Sequence, residues 1–132
     1  MIVSTTFSSS SYAVSDKKRN WSDALSFCQR FGADLVKIES QGETEFINAT
    51  WLLSLEKMWI GLNDLEVEGV WKWSDNTSLG VYSNWGYREP SKGKNQHCVV
   101  LVRGFMREDF FDAQWNDVRC ERTLFYLCEK KS

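Results

Sequence analysis

Four cysteines, at positions 28, 98, 120 and 128, constrain this chain more than any other feature of it. Four thiols allow three pairings, and their spacing alone selects none of them. No two stand as Cys-x-x-Cys and His97 is the single histidine, so a zinc site built on these thiols fits poorly. Disulfides are the better explanation, and they predict an oxidising compartment, with the protein secreted and extracellular.

At 132 residues the chain fits one domain, 1–132, large enough to bury most of the surface its unfolded form exposes. The 16 Lys and Arg nearly balance 18 Asp and Glu, and a net charge of −2 without a basic stripe argues against nucleic acid as a partner. Seven Trp and eight Phe within a 42% hydrophobic composition predict a core of large rings. No apolar run approaches the roughly 20 residues of a membrane span. The first residues lack a signal peptide's apolar block, so a mature or recombinant form is expected.

Hydrophobic periodicity divides the chain. Ile2, Val3, Phe7, Tyr12 and Val14 alternate loosely around a serine run at 8–11, which reads as strand, turn, strand. Trp21, Ala24, Leu25, Cys28 and Phe31 recur at helical spacing, with Asn20 able to cap the start and Gly32 the end. After Leu35, Val36 and Ile38, the series Ser40-Gln41-Gly42-Glu43 has the form of a capping box. It predicts a second helix through about residue 53, with Phe46, Ile47, Thr50 and Leu53 toward the core. Beyond Met58 the period changes. Trp59-Ile60-Gly61-Leu62, Trp71-Lys72-Trp73, Cys98 to Val102 and Leu124 to Cys128 read as strands, and Arg103 to Asp112 as a loop or hairpin bearing Phe105, Phe110 and Phe111. Two helices followed by many strands predict an α+β fold. Asn20, Asn48 and Asn76 head Asn-x-Ser/Thr sequons, each a surface acceptor if the source glycosylates; chance, with helix capping at Asn20, is the favoured account of them.

The chemistry concentrates between Glu89 and Asp117. Glu89, Ser91, Asn116 and Asp117 supply carboxylate, hydroxyl and amide oxygens, the donor types a hard cation such as calcium takes. Glu89-Pro90 is also the place where a cis peptide would turn flanking side chains toward one point. The same residues fit a polar surface loop with a proline turn.

Taken together and in order, these motifs resemble the C-type lectin-like domain from about Tyr12 to the end of the chain. Trp59-Ile60-Gly61-Leu62 matches that family's central strand signature, and Trp85 precedes the site. Glu89-Pro90-Ser91 stands in place of the sugar-binding tripeptide, Trp115-Asn116-Asp117 matches the second calcium motif, and Phe125-Tyr126-Leu127-Cys128-Glu129 matches the closing strand. The resemblance implies disulfides Cys28–Cys128 and Cys98–Cys120, the short form of the domain, and two helices packed on antiparallel sheets with a long calcium-binding loop.

It also implies a principal calcium site at Glu89, Ser91, Gln96, Asn116 and Asp117. Ser91 replaces an asparagine or aspartate and Gln96 a glutamate, so binding is expected to survive but weaken. An auxiliary site would use Asp64 and Glu68, but Lys92 and His97 occupy its other two positions, and no calcium is expected there. His97 itself reads as a polar residue at a strand edge.

The implied activity is calcium-dependent carbohydrate binding, in which sugar hydroxyls meet the ion and the side chains Glu89, Ser91, Gln96, Asn116 and Asp117. Similar invertebrate-type lectins with Glu-Pro-Ser bind galactose, so terminal galactose or N-acetylgalactosamine is expected, with mannose-type glycans as the alternative. Phe110 or Phe111 is a candidate platform for the apolar face of galactose, with burial in the core the favoured alternative for both, and Trp115 is expected in the core. Two other classes are weighed: a glycosidase using Glu108, Asp109 or Asp112, for which no nucleophile or acid–base pattern stands out, and a lectin-like module that binds protein or ice without metal, against which the intact Trp115-Asn116-Asp117 argues. A homodimer is expected by analogy, since lectins gain strength by multivalency.

Overall fold

The computed structural model describes residues 4–91, 95–103 and 113–131, with only the backbone at Leu53. Strands β1 (Ser4–Phe7) and β2 (Ser10–Val14) form the expected N-terminal hairpin. Helix α1 (Trp21–Arg30) starts where predicted. The Asn20 side chain accepts the Asp23 N–H at 2.8 Å, and Gly32, at φ +75°, lets the chain turn out so that its N–H and that of Ala33 meet the last carbonyls. A two-residue strand, β3 (Asp34–Leu35), follows.

The second helix differs from the expectation. Helix α2 (Gln41–Ile47) has Ser40 as its cap and gives way to a π-helical turn, Asn48–Leu52, before a short α3 (Leu53–Leu55). The wider turn rotates the buried face, so Trp51 and Leu52 pack inward while Thr50 is exposed. Ile47 is buried as expected and Phe46 partly so; the Leu53 side chain lies outside the described residues.

The remaining strands are β4 (Lys57–Asn63), β5 (Cys98–Arg103), β6 (Ala113–Val118) and β7 (Leu127–Lys131). They complete two antiparallel sheets, one in the order β1-β2-β7-β3 and one in the order β4-β5-β6. The fold is therefore α+β. The strand expected from Leu124 becomes regular only at Leu127, because the chain changes neighbours on the way: Leu124 bridges Arg19 and Tyr126 bridges Trp59. Trp71-Lys72-Trp73 contributes only isolated bridges, from Lys72 to Asn63 and Ser78. The loop predicted after Arg103, with Phe105, Phe110, Phe111, Glu108, Asp109 and Asp112, lies outside the described residues.

The β4-β5-β6 sheet is covered on both faces, which is why Cys98 to Val102 is continuously apolar. Met58, Ile60, Leu62, Val99, Leu101 and Trp115 belong to one core cluster; Trp59, Cys98, Val100 and Val102 pack with Trp21, Cys28, Tyr126 and Cys128 in the other. Gly61 is required where β4 passes β3, since a Cβ there would stand 3.0 Å from the Leu35 carbonyl oxygen. Disulfides Cys28–Cys128 and Cys98–Cys120 form, the first tying α1 to β7 and the second tying the start of β5 to the segment after β6. Among the described residues no helix is long and apolar enough to cross a membrane. Of the sequons, Asn20 caps its helix as favoured, Asn48 is buried, and Asn76 is exposed.

Candidate functional site

Strand β6 supports the site, and it was not legible as a strand because Asn and Asp are uncommon in one. It alternates regularly, with Ala113, Trp115 and Asp117 buried and the residues between them partly exposed. Trp115 is fully buried against Trp73, Tyr82 and Trp85, whose rings stand 5.6, 6.0 and 5.6 Å from its own. This aromatic group is a rigid floor rather than a sugar platform.

The segment before Glu89 is laid alongside β6 by backbone bonds. Trp115 N–H donates to the Asn84 carbonyl and Gly86 N–H to the Trp115 carbonyl, both at 2.9 Å. Glu89 N–H then returns to the Gly86 carbonyl at 2.9 Å, with Arg88 at φ +62° and the Glu89-Pro90 peptide cis. The turn delivers Glu89 and Ser91 to Asp117. Ser91 N–H donates to Asp117 Oδ1 at 2.9 Å, and Asp117 N–H lies 3.4 Å from Glu89 Oε1. Ser91 Oγ donates to Gln96 Oε1 at 2.5 Å. Glu89, Ser91, Gln96 and Asp117 thus form one connected group.

Asn116 lies beside Gly86, the residue whose carbonyl accepts the Glu89 N–H. A Cβ on Gly86 would stand 2.7 Å from Asn116 Oδ1 and 3.4 Å from Gln114 Oε1, so only glycine leaves the amide its position. Gly86 is a residue that sequence reasoning missed, though a glycine between Trp85 and Glu89-Pro90 was there to be seen. Gly86→Ala is therefore expected to displace the Asn116 amide with little loss of melting temperature, and to be read as weakened calcium binding in a titration. Gly80→Ala, where no neighbour lies within 4 Å, is the control and is expected to change little. Equal effects at both positions would contradict the close approach.

Electrostatics follow from two carboxylates sharing one small space. Burial first, then the Asp117 carboxylate beside it, push the Glu89 carboxyl up to about 7. Asp117 is itself buried, 4% exposed. Opposed, part-dehydrated carboxylates with a hydroxyl and two amides nearby are a donor set that a divalent cation relieves, so the residues present fit calcium.

The expected aromatic platform, Phe110 or Phe111, lies outside the described residues. Tyr87, which sequence reasoning passed over, is 84% exposed two residues before Glu89, with the Arg88 guanidinium 5.2 Å from its ring centre. The auxiliary residues also meet: His97 Nδ1 lies 3.0 Å from Asp64 Oδ1 and 3.6 Å from Glu68 Oε1. Lys92 is outside the described residues.

Comparison with known proteins bears on family and fold. The family described as the lectin C-type domain matches residues 17–130. The C-type lectin domain family 4 member M of Nomascus concolor is 33% identical over 128 residues, covering 96% of this chain but 30% of that protein's own length. The human scavenger receptor C-type lectin carbohydrate-recognition domain superimposes with a TM-score of 0.84 at 32% identity, covering 98% of this chain and 96% of that one. The C-type lectin domain of murine dendritic cell inhibitory receptor 2, solved in complex with N-glycan, gives a TM-score of 0.84 at 28% identity over 98% of this chain and 96% of its own. With that family matching residues 17–130 and relatives of this identity covering nearly all of the chain, the chain belongs to the C-type lectin domain family.

Proposed function

We propose that the chain binds glycans with terminal galactose or N-acetylgalactosamine in a calcium-dependent manner, at Glu89, Ser91, Asn116 and Asp117 with Gln96 beside them. The observation that carries this reading is the convergence of Glu89 and Asp117 on Ser91, held by the Ser91 N–H bond to Asp117 and the cis turn. Calcium, when bound, supplies an electrophilic centre at which two neighbouring sugar hydroxyls replace water. The chain's own groups then set orientation. Ionised Glu89 only accepts hydrogen bonds, the Asn116 amide also donates, and the Ser91 hydroxyl does either.

Ser91 shapes the preference toward galactose, because a short hydroxyl engaged with Gln96 replaces the longer amide or carboxylate of the family pattern. The exposed Tyr87 ring adds an apolar surface near Glu89 that suits the galactose face. A mannose-type preference is the second reading, favoured by the structural neighbour solved in the presence of a GlcNAc2Man3 oligosaccharide. The two disulfides support an extracellular setting, and pairing with a second copy would raise the strength of single-site sugar binding. A glycan array read with calcium and again with a chelator tests the reading. Chelator-sensitive signals on terminal galactose support it, mannose signals reverse the specificity, and signals that ignore the chelator remove the metal from the account.

The raised Glu89 carboxyl gives a pH dependence with a definite sign. A proton and calcium compete for the same carboxylate, so affinity is full above pH 7 and is lost as pH falls through it. Calcium affinity is therefore expected to be clearly weaker at pH 5.5 than at pH 7.5. Calorimetric titrations at the two values check this; equal affinities would contradict it.

A further inference from the structure

Away from Glu89 and Asp117, the described residues hold one cluster of mixed nitrogen and oxygen donors: Asp64, Glu68 and His97. Asp64 follows β4, Glu68 lies in the loop after it, and His97 directly precedes β5. One donor atom from each residue converges, and all three atoms lie within 4.8 Å of one another. His97 Nδ1 stands 3.0 Å from Asp64 Oδ1 and 3.6 Å from Glu68 Oε1. A tetrahedral metal with bonds of about 2.0–2.2 Å sets neighbouring donors roughly 3.3–3.6 Å apart, so these contacts already approximate edges of such a site.

The cluster is also braced. The Asp64 side chain is wholly buried, and its second oxygen accepts the Gly69 N–H at 2.8 Å. Gly69 reaches that position at φ +80°, where other residues are strained. The Asp64 N–H donates to the His97 carbonyl at 3.0 Å, locking the two segments together. Outer-shell bonds of this kind fix the orientation of a ligating carboxylate.

The auxiliary calcium of the family does not fit here. Calcium draws on six to eight oxygens, whereas this cluster presents an imidazole nitrogen at its centre. One imidazole and two carboxylates match zinc instead, with water in the open position. We propose that Asp64, Glu68 and His97 form a zinc site, in which the metal clamps the loop after β4 to the segment carrying Gln96, the partner of Ser91. Its residues are separate from Glu89 and Asp117, so the proposal stands or falls independently of the sugar site.

The chain suits a clean test, because His97 is its single histidine and all four cysteines are in disulfides. The intact chain is titrated calorimetrically with zinc chloride while calcium is kept in excess, so that zinc does not enter the Glu89 site. One zinc per chain is expected, and cobalt in its place should give the strong visible absorption of a four-coordinate ion. His97→Gln and the exposed Glu68→Gln should each weaken zinc binding at least about tenfold, since even outer-shell losses cost 10- to 100-fold, and His97→Gln should lose the cobalt signal. Glu89→Gln should leave the zinc titration unchanged even where calcium binding is lost. Absence of zinc binding, or wild-type binding in both His97→Gln and Glu68→Gln, would overturn the proposal and leave His97 as a hydrogen-bond partner of Asp64.

Discussion

Asp117→Ala and Glu89→Ala are each expected to abolish calcium-dependent glycan binding and the rise in melting temperature that calcium confers. An ion that binds only the folded state stabilises it by about 2.7 kcal/mol at one hundred times its dissociation constant, which for a chain of this size is a shift of roughly 10 °C. Both variants remove one of the two anionic donors that the described residues bring to this group, so the shift should vanish. Their costs in stability should differ. Asp117 is buried and accepts the Ser91 N–H, so its replacement removes a hydrogen bond to a charged group and costs about 1.5–3 kcal/mol. Glu89 is more exposed, and the carboxyl that burial and Asp117 push up to about 7 is a strained neighbour, so Glu89→Ala should be neutral or mildly stabilising without calcium. Differential scanning of the three proteins with calcium and with chelator checks both points. A calcium shift that persists in either variant would contradict the proposed ligand set.

Removing the Cys28–Cys128 disulfide by double alanine substitution is expected to have the largest effect on stability. It closes 100 residues of sequence, for which chain-entropy reasoning gives about 4.7 kcal/mol. That is roughly 10–20 °C in melting temperature. The two sulfurs lie within the core cluster formed with Trp21, Trp59 and Tyr126, so the loss falls on the whole packing. Cys98–Cys120 closes only 22 residues, about 3 kcal/mol on the same reasoning, and should act more locally. Cys98 begins β5 next to His97 and close to Gln96, so calcium affinity should suffer more from this second loss than global stability does. Thermal melts and calcium titrations of the two double variants check the contrast; a larger melting-temperature loss from the shorter loop would contradict it.

The parts of the fold legible in the sequence were those with strong local signals. Asn20, Ser40 and Gly32 marked helix ends because caps act through neighbouring backbone groups. Cys98 to Val102 read as a strand because both faces of its sheet are covered. What escaped depends on distant partners. Thr50 was placed inward because nothing local announces the π-helical turn, and Leu124 was placed in a regular strand because its bridge to Arg19 is invisible in sequence. Strand β6 escaped because its buried face carries Asp117, whose acceptance there rests on Ser91 from across the loop. Of the proposed site, the oxygen donors and their order were legible through the family resemblance. The close approach of Gly86 to Asn116 and the exposure of Tyr87 follow only from the folded backbone.

The most direct test of the central claim is a sequential calorimetric titration of the intact chain at pH 7.5, first with calcium and then with galactose. The account predicts one calcium-binding event that Glu89→Gln lacks, and sugar binding only after calcium has been added. Galactose binding of equal strength in chelator, or calcium binding untouched by Glu89→Gln, would contradict it.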